Sequence, residues 1–273
     1  MRAMRRMYAA QLERAARRLE RQAATDKAIH KVRQELKRAR ATLRLLRDGF
    51  GVTAYRRDNR LVRDVARPLS RLRDATVLIE TFDRCGGPAG TLRETLCAER
   101  DLSRRHVRIR DMAASARRLR RVGRRALTVT DERLARADID RGLKRAYRKV
   151  RAALARARER NTDEALHEWR KQVKYLVNQL AIGCPRASKR IRRLTRRSGE
   201  LSDRLGDDHD LAVLCGKIEL HLGTAAERGE DAVLQGLLRR LRRDRKHLQR
   251  QAFGLGRRLY ASAPRRFRAS LRR

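Results

Sequence analysis

Aromatic residues make up only 4% of this 273-residue chain, and proline occurs four times. Sheets draw on aromatic and β-branched residues, so a chain this poor in aromatics and rich in Leu, Ala and Arg favours helices. The four cysteines, Cys85, Cys97, Cys184 and Cys215, form no Cys-x-x-Cys pair. That spacing argues against a zinc or dithiol motif and for reduced thiols in a cytoplasmic protein. No apolar run approaches the roughly 20 residues of a membrane span. Residues 1–19 are basic with no apolar stretch among them, so no secretory signal is expected. Phosphate-cradling glycine loops, Walker motifs and nucleophile–base sets are also missing.

Acidic residues are scarce: 32 Asp and Glu stand against 73 Lys and Arg, a net charge of +41. Self-repulsion on this scale destabilises a compact state unless counter-anions are present. The expected partner is therefore a polyanion, whether a phosphate polymer, a nucleic acid or an anionic surface. Arginine predominates among the cations, and its guanidinium forks around phosphate oxygens and stays charged. Hydrophobic residues still reach 41%, and their patterning separates the chain from a disordered basic tail.

Helical periodicity runs through almost the whole sequence. It predicts an all-α fold with helices near 2–24, 26–48, 57–84, 89–122, 131–160, 162–182, 186–205, 208–223 and 228–250, and a last stretch to 271. Gly49 with Gly51, Gly86-Gly87-Pro88, Gly183 with Pro185, Gly206 and Gly223 are the expected breakers, and Pro68 is expected to kink or split the third helix.

The sequence also repeats itself. Ala28-Ile29-His30-Lys31-Val32-Arg33, running on to Lys37, matches Ala165-Leu166-His167-Glu168-Trp169-Arg170, running on to Lys174. Both read His-x-x-Arg-x-x-x-Lys. Farther on, Arg73-Asp74-Ala75-Thr76-Val77-Leu78 matches His209-Asp210-Leu211-Ala212-Val213-Leu214, and Met4–Tyr8 faintly echoes Leu143–Tyr147. The repeat divides the chain into halves, residues 1–125 and 126–273. Two pseudosymmetric helical bundles of about four helices each are expected, packed as one unit and one domain.

In the second helix Ile29, Val32, Leu36, Ala39, Leu43 and Leu46 step by three and four, the pattern of a face packed on neighbours. Shifted by one residue, the same pattern reads His30, Arg33, Lys37, Arg40, Arg44 and Arg47. This cationic line runs about 100° around the helix from the core stripe, where it can border a groove or channel. The sixth helix does the same, with Leu166, Trp169, Val173, Leu176 and Leu180 for the core and His167, Arg170 and Lys174 beside it. A basic row on a helix is usually a solvated face. Duplication of the spacing and the shortage of neighbouring carboxylates favour a binding line here, since like charges at helical spacing repel unless an anion intervenes.

Gly206-Asp207-Asp208-His209-Asp210 admits two readings. Carboxylates with an imidazole can hold Mg²⁺ or Mn²⁺. The preferred reading is structural: Gly206 ends a helix, Asp207 or Asp208 caps the next, and Asp210 pairs with an arginine as its counterpart Asp74 would. His106, His221 and His247 have no counterparts and are read as bystanders.

The paired His-x-x-Arg-x-x-x-Lys helices, the Arg73-Asp74-x-x-Val77-Leu78 element and the Leu205-Gly206-x-x-x-Asp210-Leu211-x-Val213-Leu214 element resemble the CHAD family, the conserved histidine α-helical domain. Ala252-Phe253-x-Leu255-Gly256-x-x-Leu259-Tyr260 also looks like its C-terminal helix. The likeness lies in the order and duplication of motifs and spans essentially the whole chain. It implies two four-helix bundles around a basic channel, binding of inorganic polyphosphate, and association with polyphosphate granules in the cytoplasm. Carried over by position, the ligands are His30, Arg33, Lys37, Arg40, Arg44 and Arg73, with His167, Arg170, Lys171, Lys174 and Tyr147 in the second half. Where members often carry Arg-Tyr, this chain has Val177-Asn178. No catalytic residues, cofactor or metal are expected. The alternatives are a nucleic-acid-binding protein of the nucleoid, which the charge alone supports equally, and an enzyme that uses His30 or His167 as phospho-acceptor or the Asp207–Asp210 cluster as a metal site.

Overall fold

The computed structural model of the protein describes residues 2–21, 25–107, 109–128, 136–223 and 229–271. Among them there is no strand. The helices are α1 (Arg2–Arg21), α2 (Asp26–Leu45), α3 (Arg47–Phe50), α4 (Val52–Arg84), α5 (Thr91–Arg105), α6 (Ile109–Thr128), α7 (Arg136–Arg160), α8 (Asp163–Gly183), α9 (Lys189–Leu222), α10 (Asp231–Leu259) and α11 (Pro264–Ser270). The expected helix ends at 22–24, 131–135 and 228 lie outside the described residues, and the boundary between the halves drawn at 125/126 falls inside α6.

The repeated helices α2 and α8 begin alike. Thr25 Oγ1 accepts from the amide of Ala28, and Thr162 Oγ1 accepts from the amide of Ala165, each at 3.3 Å. An aspartate follows in each first turn, Asp26 and Asp163, where the positive end of the helix dipole favours it. The repeat therefore includes the cap, Thr-Asp-x-Ala, three residues before the stretch that the sequence comparison marks. Identical caps start both helices at the same phase relative to His30 and His167.

Several breaks differ from expectation: Gly49 lies inside α3, α4 starts at Val52 and α10 runs on to Leu259, and two further corrections have a packing cause. The helix expected over 89–122 is two helices. Leu92 and Leu96 of α5 enter one hydrophobic cluster, while Met112, Ala116, Leu119, Val122 and Ala126 of α6 enter another, so the chain must turn between them. The two helices expected on either side of Gly206 are one, α9. Gly206 is buried mid-helix, and Asp207 and Asp208 cap nothing. Pro68 does not split α4 either. It sits on the exposed side, where water can serve the carbonyl that proline leaves without its helical partner.

One cluster gathers α1, α2, α6, α7 and α8 with parts of α4, α9, α10 and α11, Tyr8, Leu36, Val62, Tyr147 and Trp169 among its members. The other is built from Leu78, Ile79 and Phe82 of α4, Leu92 and Leu96 of α5, Leu211, Leu214 and Ile218 of α9, and Leu234, Leu237, Leu238 and Leu241 of α10. The long helices α4 and α9 pass from one cluster into the other. Helices of the two halves meet where α2 packs on α8 and α4 on α9. Between the clusters, around Arg73–Val77 of α4 and His209–Val213 of α9, the walls part and leave a cavity.

Candidate functional site

The cavity holds about 420 Å³ and opens between α2, α4, α8 and α9. Along α2 it is lined by His30, Arg33, Lys37, Arg40 and Arg44; along α8 by His167, Arg170, Lys171 and Lys174; and on α4 by Arg73. The structure thus brings both cationic lines to a single space. The α2 line covers about 20 Å at 1.5 Å per residue. It stops at Arg44, because α2 ends at Leu45; Arg47, expected to extend it, starts α3 and sits over Tyr55, 5.4 Å from the ring centre.

Eight cationic side chains face two lining carboxylates, Asp74 and Asp210. Four of the cations have acidic partners. Arg33 reaches Asp74 at 3.1 Å and also donates to the carbonyls of Ser70 (3.0 Å) and Leu69 (3.4 Å). Arg73 makes a two-pronged pair with Glu80 (3.0 and 3.1 Å). Arg170 stands 3.7 Å from Asp210, and Lys171 pairs with Glu168. The expected pairing of Asp74 and Asp210 with arginines is therefore present. Among the described residues Lys37, Lys174, Arg40 and Arg44 form no ion pair; Arg40 donates to Asn59 Oδ1 at 3.2 Å, and Arg44 lies over the Tyr175 ring, 3.7 Å from its centre.

Gly206 favours this arrangement in a way that its assignment as a helix stop missed. A Cβ at this position would lie 3.3 Å from a guanidinium nitrogen of Arg170. Without a side chain there, Arg170 comes close against α9 and stands 3.7 Å from Asp210.

The electrostatics record the crowding. Partial withdrawal from water, then the charges of Arg33, Lys174 and Arg170, push the Lys37 ammonium down to about 8, although the side chain keeps solvent access; Asp74 opposes the shift. Lys174 is lowered by burial and Arg170. Burial and then Arg73, Lys37 and Arg33 lower His30; burial, Arg170 and Lys171 lower His167. His209, absent from the sequence-derived ligand set, stands opposite His167 with their Nδ1 atoms 3.3 Å apart and their rings 4.5 Å apart. Burial, then Arg170 and His167, push it down to about 4. These imidazoles are neutral near pH 7 and carry one N–H each; one of His167 and His209 spends its N–H on the other, and the remaining N–H groups can donate without adding charge.

Tyr147 is a correction. It is 1% exposed, donates to the Ser262 carbonyl at 3.0 Å and stacks on Phe267 with ring centres 4.2 Å apart, so it belongs to the core between α7 and α11. It lines a separate hollow beside Arg190, Arg193, Arg197 and Arg258. Its echo of Tyr8 reflects a shared core position, since Tyr8 is also fully buried. The acidic cluster is dispersed: Asp207 is exposed, Asp208 takes bonds from Arg245 (3.2 Å) and Gln249 (2.9 Å), and Asp210 faces the cavity. Among the described residues no three His, Cys, Asp or Glu side chains gather as a metal site. His221 is buried and bonded to Glu230 at 3.1 Å, away from the cavity.

Sequence reasoning missed Gln34, Tyr175, Asn178 and His209 as lining residues. Asn178 was legible, because it continues the step from Arg170 and Lys174 by four. Tyr175 carries no signal in the line, because it reaches the cavity through the turn of α8 against Arg44.

Among the described residues no helix is long and apolar enough to cross a membrane. Comparison with curated protein sequences gives no match. The family model for the CHAD domain matches residues 6–219, which takes in both cationic helices, the Arg73–Leu78 and His209–Leu214 elements and every charged residue of the cavity. The chain belongs to the CHAD domain family.

Proposed function

We propose that the protein is a non-enzymatic binder of inorganic polyphosphate, that the chain lies in the cavity between α2 and α8, and that this binding places the protein on polyphosphate granules in the cytoplasm. The observation that carries the reading is the set of cations without ion pairs, Lys37, Arg40, Arg44 and Lys174, facing one space from two repeated helices. Such a cluster is unfavourable until an anion enters. The CHAD family is associated with polyphosphate binding in general. A flexible phosphate chain with about one charge per unit can bring successive oxygens to successive cations, and arginine offers each a forked donor. The neutral imidazoles of His30, His167 and His209 add hydrogen bonds. A cavity of about 420 Å³ suits a thin chain, whereas a duplex would meet only the outer surface through diffuse charge.

The test compares long-chain polyphosphate with duplex DNA and single-stranded RNA of equal total charge at near-physiological salt. Tighter binding of polyphosphate is expected. Equal or weaker binding would defeat the reading and favour a nucleic-acid partner.

A further inference from the structure

Three groups in the cavity are not needed by an inorganic chain. Tyr175 offers an aromatic ring, Asn178 offers an amide, and Val77, Leu78 and Val213 offer apolar wall. Arg44 already lies over the Tyr175 ring, its guanidinium carbon 3.7 Å from the ring centre, so a cation and a ring are already paired there. The Asn178 amide has no hydrogen-bond partner among the described residues. Both groups sit on α8 beside Lys174, within reach of the same bound chain. A ring, a stacked guanidinium and a free amide are the groups that recognise a base: guanidinium and aromatic faces take its plane, and an amide's paired donor and acceptor match the N6/N7 edge of adenine.

We propose that the cavity also accepts nucleoside polyphosphates, the phosphates lying along the Lys37 and Lys174 lines and the base, adenine by preference, stacked at the Arg44–Tyr175 pair with its edge met by Asn178. The inference rests on the polyphosphate reading of this cavity and adds an end group to the chain that it takes. The volume, about 420 Å³, falls within the usual range for small-molecule sites. Only 4% of residues are aromatic, yet one of them stands in the cavity.

The experiment measures the affinities of adenosine 5′-tetraphosphate and inorganic tetraphosphate at matched pH and near-physiological salt, for the native protein and for Tyr175→Leu, Tyr175→Phe and Asn178→Ala. The nucleotide is expected to bind about tenfold more tightly than the inorganic chain, the gain that one stacked base supplies. Tyr175→Leu is expected to erase that preference while leaving inorganic tetraphosphate within about twofold; Tyr175→Phe keeps the aromatic face and should keep the preference. Asn178→Ala should reduce the advantage of adenosine over uridine tetraphosphate. Equal affinity of the native protein for the two tetraphosphates overturns the inference. So does a Tyr175→Leu protein that loses both ligands alike, because the ring would then serve only to hold Arg44. Arg33→Ala/Lys37→Ala separates the levels: if that variant binds inorganic tetraphosphate as well as the native protein does, the cavity reading fails, and with it the inference.

Discussion

Binding of a polyanion in this cavity should take up protons, and Lys37 sets the pH at which it does so. In the free protein its ammonium is held down to about 8 by partial desolvation and by Arg33, Lys174 and Arg170. A phosphate chain laid among these groups screens them and pairs with the ammonium, restoring it to its ordinary 10.5 or above. A group whose affinity for protons rises on binding favours binding while it is protonated. The sign is therefore fixed: affinity is full below pH 8 and falls as pH rises from there towards the bound value. With these two values, affinity drops about tenfold between about pH 7 and about pH 9, and close to half a proton is taken up per site near pH 8. Lys174, which shares the cavity with Lys37 and is also lowered, adds to the same slope. His30, His167 and His209 are lowered from an ordinary value of 6.5 and gain charge only on the acid side. The assay is fluorescence anisotropy of end-labelled polyphosphate at constant ionic strength, with calorimetry in two buffers of different ionisation enthalpy to count protons. Lys37→Arg keeps the charge and should flatten most of the alkaline fall. An affinity unchanged between about pH 7 and about pH 9, or the same fall in Lys37→Arg, would refute the reasoning.

Arg33→Ala/Lys37→Ala and Arg170→Ala/Lys174→Ala should each weaken long-chain polyphosphate binding about tenfold or more, since on the proposed reading both lines engage one chain and lose effective concentration together. Each should also flatten the slope of log affinity against log salt by about two, by analogy with counterion release, with helix content unchanged by circular dichroism. The exposed pair Arg239→Ala/Arg243→Ala on α10 should matter far less; an equal loss there makes affinity a diffuse property of net charge. Tyr147→Phe removes the bond to the Ser262 carbonyl and should cost about 0.5–1.5 kcal/mol of stability in urea titration, with polyphosphate affinity untouched; a large affinity loss would return Tyr147 to the site. Gly256→Ala puts a methyl 2.5 Å from the buried Trp169 ring and should destabilise by about 1–3 kcal/mol, read as a lowered melting temperature. Full native stability in that variant would show that the indole can shift freely.

The sequence by itself determined the helical class, the duplicated His-x-x-Arg-x-x-x-Lys lines and their position beside a buried stripe, because helical periodicity is a local property that residue spacing records directly. Ten of the eleven residues carried over as ligands from the family resemblance line the cavity, eight of them on the two periodic lines. Tyr147 does not, because an echo between halves records a shared packing position as readily as a shared contact, and the hydroxyl is committed to Ser262. Gly206 was legible as a glycine but not as an interior one. The structure brings Arg170 of α8 close against α9 at Gly206, a contact between residues 36 apart in the chain. The break between α5 and α6 has no glycine or proline to announce it; it exists because two hydrophobic clusters compete for one run of chain. Tertiary structure alone decided that the two cationic lines face one cavity, that His209 stands against His167, and that Arg44 from the first half stacks on Tyr175 from the second. Those are choices of how helices cross, set by which apolar faces fit together, and residue spacing along a single helix carries no record of them.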